Sequence, residues 1–189
     1  MIAARLNAFP WGKMKFDQGD FHTDRFKANF SVAAFRWSND DDNNSYTDAP
    51  GASTDPERAD LEGADGWELS AGLRGHGLSV TAALNGITGD TIDPAFSGGL
   101  YANGTTDLDQ VSLIGGYMVV NERFEIVLGW QSQDADGYMD RWERTQFGLN
   151  YFYDRHKVKA QLTYTMGQNL FGETGVDAVT TQLQLQNFF

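Results

Sequence analysis

The stretch HKVKAQLTYTMG at 156–167 decides how this chain folds. Val158, Ala160, Leu162, Tyr164 and Met166 fall at every second position, with Lys157, Lys159, Gln161, Thr163 and Thr165 between them. Side chains alternate across a strand but spiral around a helix, so this spacing gives a β-strand one apolar and one polar face. A helix would scatter the same residues around its circumference.

The alternation recurs outward from this stretch, at Ile2 to Phe9, Phe26 to Trp37, Trp67 to Arg74, Leu78 to Ile87, Gln110 to Val119, Arg123 to Gln131, Arg144 to Tyr153 and Val179 to Phe189. Helical periodicity is nearly absent. The expected fold is all-β: one domain over 1–189, read as an antiparallel transmembrane β-barrel segment of about nine meandering strands. Segments near ten residues suit a tilted strand crossing a bilayer. In the second segment the phase held by Phe26, Ala28, Phe30, Val32 and Ala34 slips at Phe35 and Trp37, which reads as a bulge.

Composition bounds the alternatives. The chain has 189 residues with no cysteine, which excludes disulfides, thiolate metal sites and a cysteine nucleophile. A net charge of −12 with no Lys/Arg-rich stretch argues against nucleic acid as a partner. Apolar runs are too short for a membrane-spanning helix, although alternating strands escape that test. The start, MIAARLNAFPWG, lacks the features of a secretory signal. The expectation is a mature form or fragment, or else a cytosolic chain.

Short connections at 74–77, 121–122 and 154–156 alternate with long ones at 38–66, 88–109, 132–143 and 167–178. Outer-membrane barrels sort their connections in this way, with tight periplasmic turns and long external loops. Residues 10–25 are the exception, long but placed by parity at the short-turn end. Trp37, Trp67 and Trp130 near one end, and Phe26, Phe124, Tyr151, Tyr153 and Phe189 near the other, read as two interfacial girdles. Alternation alone does not say which face points inward. In a soluble sandwich the apolar face is the core, whereas in a membrane barrel it meets lipid.

The acidity is a property of loops. Residues 39–65 hold nine acids and one arginine, a net of −8. Asp90, Asp93, Asp107, Asp109, Asp134, Asp136, Asp140, Glu173 and Asp177 add to it in the other long connections. On the barrel reading these face the outside, where divalent cations bridge lipopolysaccharide. NDDDNN (39–44) and DADG (134–137) carry oxygen ligands that suit calcium but lack EF-hand spacing. The polar faces reverse the sign. Arg5, Lys27, Arg74, Arg144, Lys157 and Lys159 are the pore-lining candidates, against Glu68, Glu125 and Glu143, and a basic lumen predicts anion preference. Cations at strand ends are equally suited to snorkelling or to lipid headgroups.

No catalytic constellation is found. His22, His76 and His156 all lie in short-end connections without metal-ligand spacing. No GxSxG elbow, P-loop or dinucleotide fingerprint occurs, and SGGLYANG (97–104) reads as a flexible loop. The expectation is no enzyme, no cofactor and no metal.

The last strand ends in QLQLQNFF, with Phe189 terminal and Leu185 and Leu183 in phase. This resembles the C-terminal assembly signal of bacterial outer-membrane proteins, with Asn187 where an aromatic is usual. NAFPWGKMKFDQGDF (7–21), FRWSNDDDNNSYTD (35–48), GDTIDPAFSGGLYANGTTDLDQVSLIGGYMVV (89–120) and WQSQDADGYMDRWERTQFGLNYF (130–152) resemble the C-terminal half of the phosphate-selective porin family. The resemblance runs over nearly the whole chain. It implies a sixteen-stranded, usually trimeric, anion-conducting barrel in the outer membrane of a Gram-negative bacterium, with lipid, lipopolysaccharide and small anions such as phosphate as partners. The family's constriction loop and most of its arginine ladder and phosphate site belong to upstream regions, so no binding residue transfers by motif. An odd count of nine strands predicts that the chain corresponds to the last strands of a larger barrel. The reading from another class is a secreted or surface β-domain whose acidic loops bind calcium or a partner, with the apolar face as its core.

Overall fold

A computed structural model describes residues 1–14, 18–21, 23–39 and 61–187. Nine strands pair antiparallel in chain order: β1 (Ile2–Ala8), β2 (Lys27–Ser38), β3 (Leu61–Gly75), β4 (Leu78–Thr91), β5 (Thr105–Val120), β6 (Phe124–Ala135), β7 (Trp142–Asp154), β8 (Val158–Gln168) and β9 (Ala178–Asn187). The chain is all-β, a single meandering sheet whose first and last strands do not meet, consistent with a segment of a barrel. A 3-10 turn at Leu170–Gly172 is the helical element among the described residues.

Register carries the alternation across the whole sheet. One hydrogen-bonded row reads Ala8, Phe30, Ala71, Ala82, Leu113, Trp130, Thr145, Met166, Val179. The next residue along each strand belongs to the opposite face, where Asn7, Ser31, Ser70, Ala83, Ser112, Gln131, Arg144 and Gly167 form a row of their own. A slip of one residue would exchange the faces, so this register follows from the sequence pattern.

Burial is the reverse of a soluble sandwich. Leu128, midway along β6, is 55% exposed, while Glu125, three residues before it and on the opposite face of the same strand, is 1% exposed. Phe30, Val32, Leu69, Leu84, Leu113, Phe147, Leu149, Leu162 and Leu183 share the exposure of Leu128, whereas Asn29, Ser31, Ser79 and Asn150 are buried on the polar side. Among the described residues no second layer covers the apolar face.

The β3–β4 connection is the two residues His76 and Gly77, at φ 53° and 83°. Two consecutive positive φ values suit the twist of a tight hairpin, and glycine at the second adopts it without strain.

Several boundaries move. The long connections expected at 88–109, 132–143 and 167–178 shorten to 92–104, 136–141 and 169–177, and β3 already begins at Leu61 within the expected 38–66 loop. The ladder continues past the point where hydrophobic alternation stops, because Asp65, Thr88, Asp107, Asp109 and Asp134 still pair while carrying polar groups on the outer face. The expected bulge at Phe35 and Trp37 is absent. Pairing through β2 is unbroken on both sides, so these two rings turn onto the polar face, with Phe35 lying over Gly66. Trp37 therefore does not belong to an outer aromatic girdle, while Trp67 and Trp130 do face outward. Register shifts occur instead at Leu61/Gly63, Met118/Val120 and Phe152/Asp154.

Candidate functional site

The polar face and the segment laid across it form the candidate site. After β1 the chain turns at Phe9, whose carbonyl accepts the Gly12 N–H at 3.2 Å, and the described residues between β1 and β2 (10–14, 18–21 and 23–26) lie over the polar side of the sheet. This explains why a long connection sits at the short-turn end. Met14 is buried against Gly72, where a β-carbon would come within 2.7 Å of its methyl group. Gly19 passes Glu125 so closely that a β-carbon would sit 3.1 Å from Oε1. Asp20 is buried, and its carboxylate accepts the Gly77 N–H at 2.8 Å, the Thr23 N–H at 3.1 Å and the Thr23 hydroxyl at 2.8 Å. Phe21 meets Phe152 and His156 edge to face at 5.1 and 5.0 Å.

The six sequence-derived cations separate by placement. Arg5 reaches Glu68 at 3.4 Å on the polar face. Lys27 donates to the Lys13 carbonyl at 3.3 Å, Arg74 to the Gly19 carbonyl at 2.9 Å, and Lys159 to the Gln18 side chain. These last three cations thus hold the crossing segment, and the segment contacts strands from β2 to β8. Arg144 lies over the Trp142 ring at 5.3 Å and borders a hollow of about 140 Å³ with Gln110, Gln131 and Gln133. Lys157 is corrected: it lies in the β7–β8 turn, largely exposed and 3.9 Å from Asp154, because β8 starts one residue later. Glu143 is corrected too, since it pairs with Ser132 in the outer phase rather than the polar one.

Glu125 organises the middle of the site. It accepts from Ser79 Oγ at 3.3 Å and Asn150 Nδ2 at 2.8 Å, and Asn150 Oδ1 accepts from Gln161 Nε2 at 3.0 Å. A buried carboxylate held by neutral hydrogen-bond donors is a rigid element of the polar face. A hollow of about 470 Å³ between segment and strands is lined by Asp20, Lys27, Arg74, Arg155 and His156. The role of the crossing segment was hidden from the sequence, whose only hint was its length at the wrong end.

At the opposite end the loops interlock. Gly137 N–H donates to the Leu100 carbonyl at 3.0 Å, and the Met139 and Asp140 amides both donate to the Gly172 carbonyl, at 3.0 and 3.1 Å. Tyr138 packs on Gly172, where any β-carbon would collide with its ring. Burial raises the Tyr138 pKa above its ordinary 10.0, an effect that the hydrogen bond from Gln133 partly offsets. Tyr101 is raised as well, first by burial and then by the charge of Asp90.

The calcium candidates fare unequally. NDDDNN lies, apart from Asn39, outside the described residues. In DADG, Asp134 pairs with Arg141 at 3.3 Å and Asp136 accepts the Asp107 N–H at 3.0 Å. Among the described residues no group of three or more metal-ligating side chains comes together. Of the expected C-terminal signal, Leu183 and Leu185 share the outer face, and Phe189 lies outside the described residues. No family model, curated protein or solved structure matches this chain.

Proposed function

We propose that the chain is part of an outer-membrane porin of the phosphate-selective type, through which small hydrophilic solutes, anions above others, diffuse without turnover. The observation that carries this reading is the inverted burial: an apolar face left uncovered and a polar face that encloses its own segment. On β5 the exposed outward face runs from Val111 to Val119, about 27 Å of strand at 3.4 Å per residue. Tilted by about 40°, that is roughly 20 Å of height, near the apolar band of membrane barrels.

Anion preference rests on the polar face, where Arg5, Lys27, Arg74, Arg144 and Lys159 outnumber Glu68 and Glu125. The described residues of the crossing segment narrow the passage at the short-turn end, and Lys13, Gly19 and Gln18 position three of these cations. The bare edges of β1 and β9 would cost several kcal/mol for each unpaired backbone group in lipid, so the sheet works as part of a closed barrel completed by further strands. Outer-membrane localisation and threefold association belong to the same proposal.

The test is reversal potential in planar bilayers, using the assembly that the chain forms in outer membranes. Anion selectivity supports the reading. Cation selectivity defeats the basic-lumen argument, and a soluble monomer stabilised by calcium favours the surface β-domain instead.

A further inference from the structure

One row of the polar face is not polar. Ala3, Phe35, Gly66, Ile87 and Leu108 are successive cross-strand partners from β1 to β5. Two residues along each strand toward the short-turn end, Arg5, Glu68, Asn85 and Gln110 belong to a second row on the same face. Phe35 is the residue that breaks the alternation of β2. It is half-buried, and its ring lies against Gly66, where a β-carbon would collide with it. The two rows border a hollow of about 530 Å³. Small-ligand sites occupy about 300–1,000 Å³ and combine apolar walls with a few placed polar groups.

Charge narrows the choice of occupant. The two charged side chains of the hollow neutralise one another, since Arg5 lies 3.4 Å from Glu68, which also accepts from Ser70 Oγ at 2.7 Å. Asn85 and Gln110 are neutral amides, each able to donate and to accept. The hollow therefore suits a neutral solute held by hydrogen bonds. Length decides its class. Glu68, Asn85 and Gln110 stand on three adjacent strands, so at about 4.8 Å per strand the polar row runs for about 10 Å beside the apolar one. A solute with an apolar ring and one polar end would leave most of that row without a partner. Pyranose units carry C–H groups on their ring faces and hydroxyls all along their edges, and each hydroxyl donates and accepts.

We propose that this hollow is a saccharide subsite in the lumen wall. Two or so linked neutral pyranose units lie with their C–H faces on Phe35 and Ile87, while their hydroxyls meet Glu68, Asn85 and Gln110. The inference rests on the reading that the polar face lines a pore, and it adds a class of solute that anion preference does not cover.

The test is ion current in planar bilayers through the assembly that the chain forms in outer membranes, with maltose, glucose or sorbitol added. Maltose should reduce the current saturably, and glucose about tenfold more weakly, because the second unit adds about one or two hydrogen bonds. Sorbitol, which has the hydroxyls without the ring face, should show no saturable reduction. Phe35→Ala should weaken the maltose effect about tenfold and Asn85→Ala about fivefold, with the sugar-free current of each variant reporting an assembled pore. A current indifferent to maltose, an equal response to sorbitol, or unchanged maltose affinity in both variants overturns the proposal. Any of these in a conducting assembly overturns this inference alone, whereas the absence of any conductance overturns the porin reading with it.

Discussion

The carboxylate of Asp20 accepts the backbone N–H of Gly77 at 2.8 Å, joining the middle of the crossing segment to the β3–β4 hairpin, 57 residues away in sequence. The same carboxylate takes two hydrogen bonds from Thr23. Asp20→Ala leaves three donors without this acceptor, at a cost of about 2–3 kcal/mol for a charged acceptor. Amide exchange at Gly77 and Thr23 should quicken by more than about tenfold, given about 1.4 kcal/mol per decade. Unchanged exchange would mean that the segment is held elsewhere.

Neighbouring glycines on β5 should respond oppositely to alanine. A β-carbon at Gly116 would lie 2.4 Å from Glu125 Oε1 and 2.8 Å from Ser79 Oγ, so Gly116→Ala should destabilise by about 1–3 kcal/mol. At Gly115, on the outer face, the nearest atom would be 3.9 Å away. Gly115→Ala should be neutral, or stabilising by up to about 1 kcal/mol through lower backbone entropy. Urea midpoints of the micelle-embedded chain compare the two, and equal midpoints would contradict the assignment of faces.

Arg144 stands on the polar face beside Trp142 and three glutamines. Arg144→Glu should move the reversal potential toward cations in a salt gradient, because the change reverses a fixed charge on the conduction path. An unmoved potential would place Arg144 off that path.

The loop tyrosines give a pH signature. Burial favours the neutral phenol, so Tyr101 and Tyr138 bind their protons more tightly in the folded chain than in the unfolded one. The stability this contributes is fully present below pH 10 and is lost as pH rises through the raised folded values. Absorbance at about 295 nm should show a late-ionising component that shrinks in Tyr138→Phe. Ionisation of all tyrosines in a single ordinary step would contradict the packing of Tyr138 on Gly172.

How much of this was legible beforehand differs by region. Val158 to Met166 and their counterparts gave all nine strands, because a period of two is a local signal that register preserves. Phe35 and Trp37 misled, since their apolar character broke the pattern while the hydrogen-bond ladder ran straight through them. The ends of β3 to β6 were invisible because above Trp67 and Trp130 the outer face turns polar at Asp65, Thr88, Asp107 and Asp134, while Ile87, Leu108 and Ala135 stand on the opposite face, which breaks the alternation. The crossing segment was illegible for another reason: Asp20 with Gly77, and Phe21 with Phe152, are distant pairs that leave no periodic trace. Which face is covered could not be read from alternation at all.

That last point is the central claim, and the tryptophans test it directly. Trp67 and Trp130 face outward while Trp37 and Trp142 belong to the polar face. Variants retaining one tryptophan each, placed in bilayers of brominated lipid, should show strong quenching at Trp67 and Trp130. Trp37 and Trp142 should be quenched by aqueous iodide and spared by the lipid. If Trp67 and Trp130 are instead shielded from both quenchers, the apolar face is a protein core and the porin account is wrong.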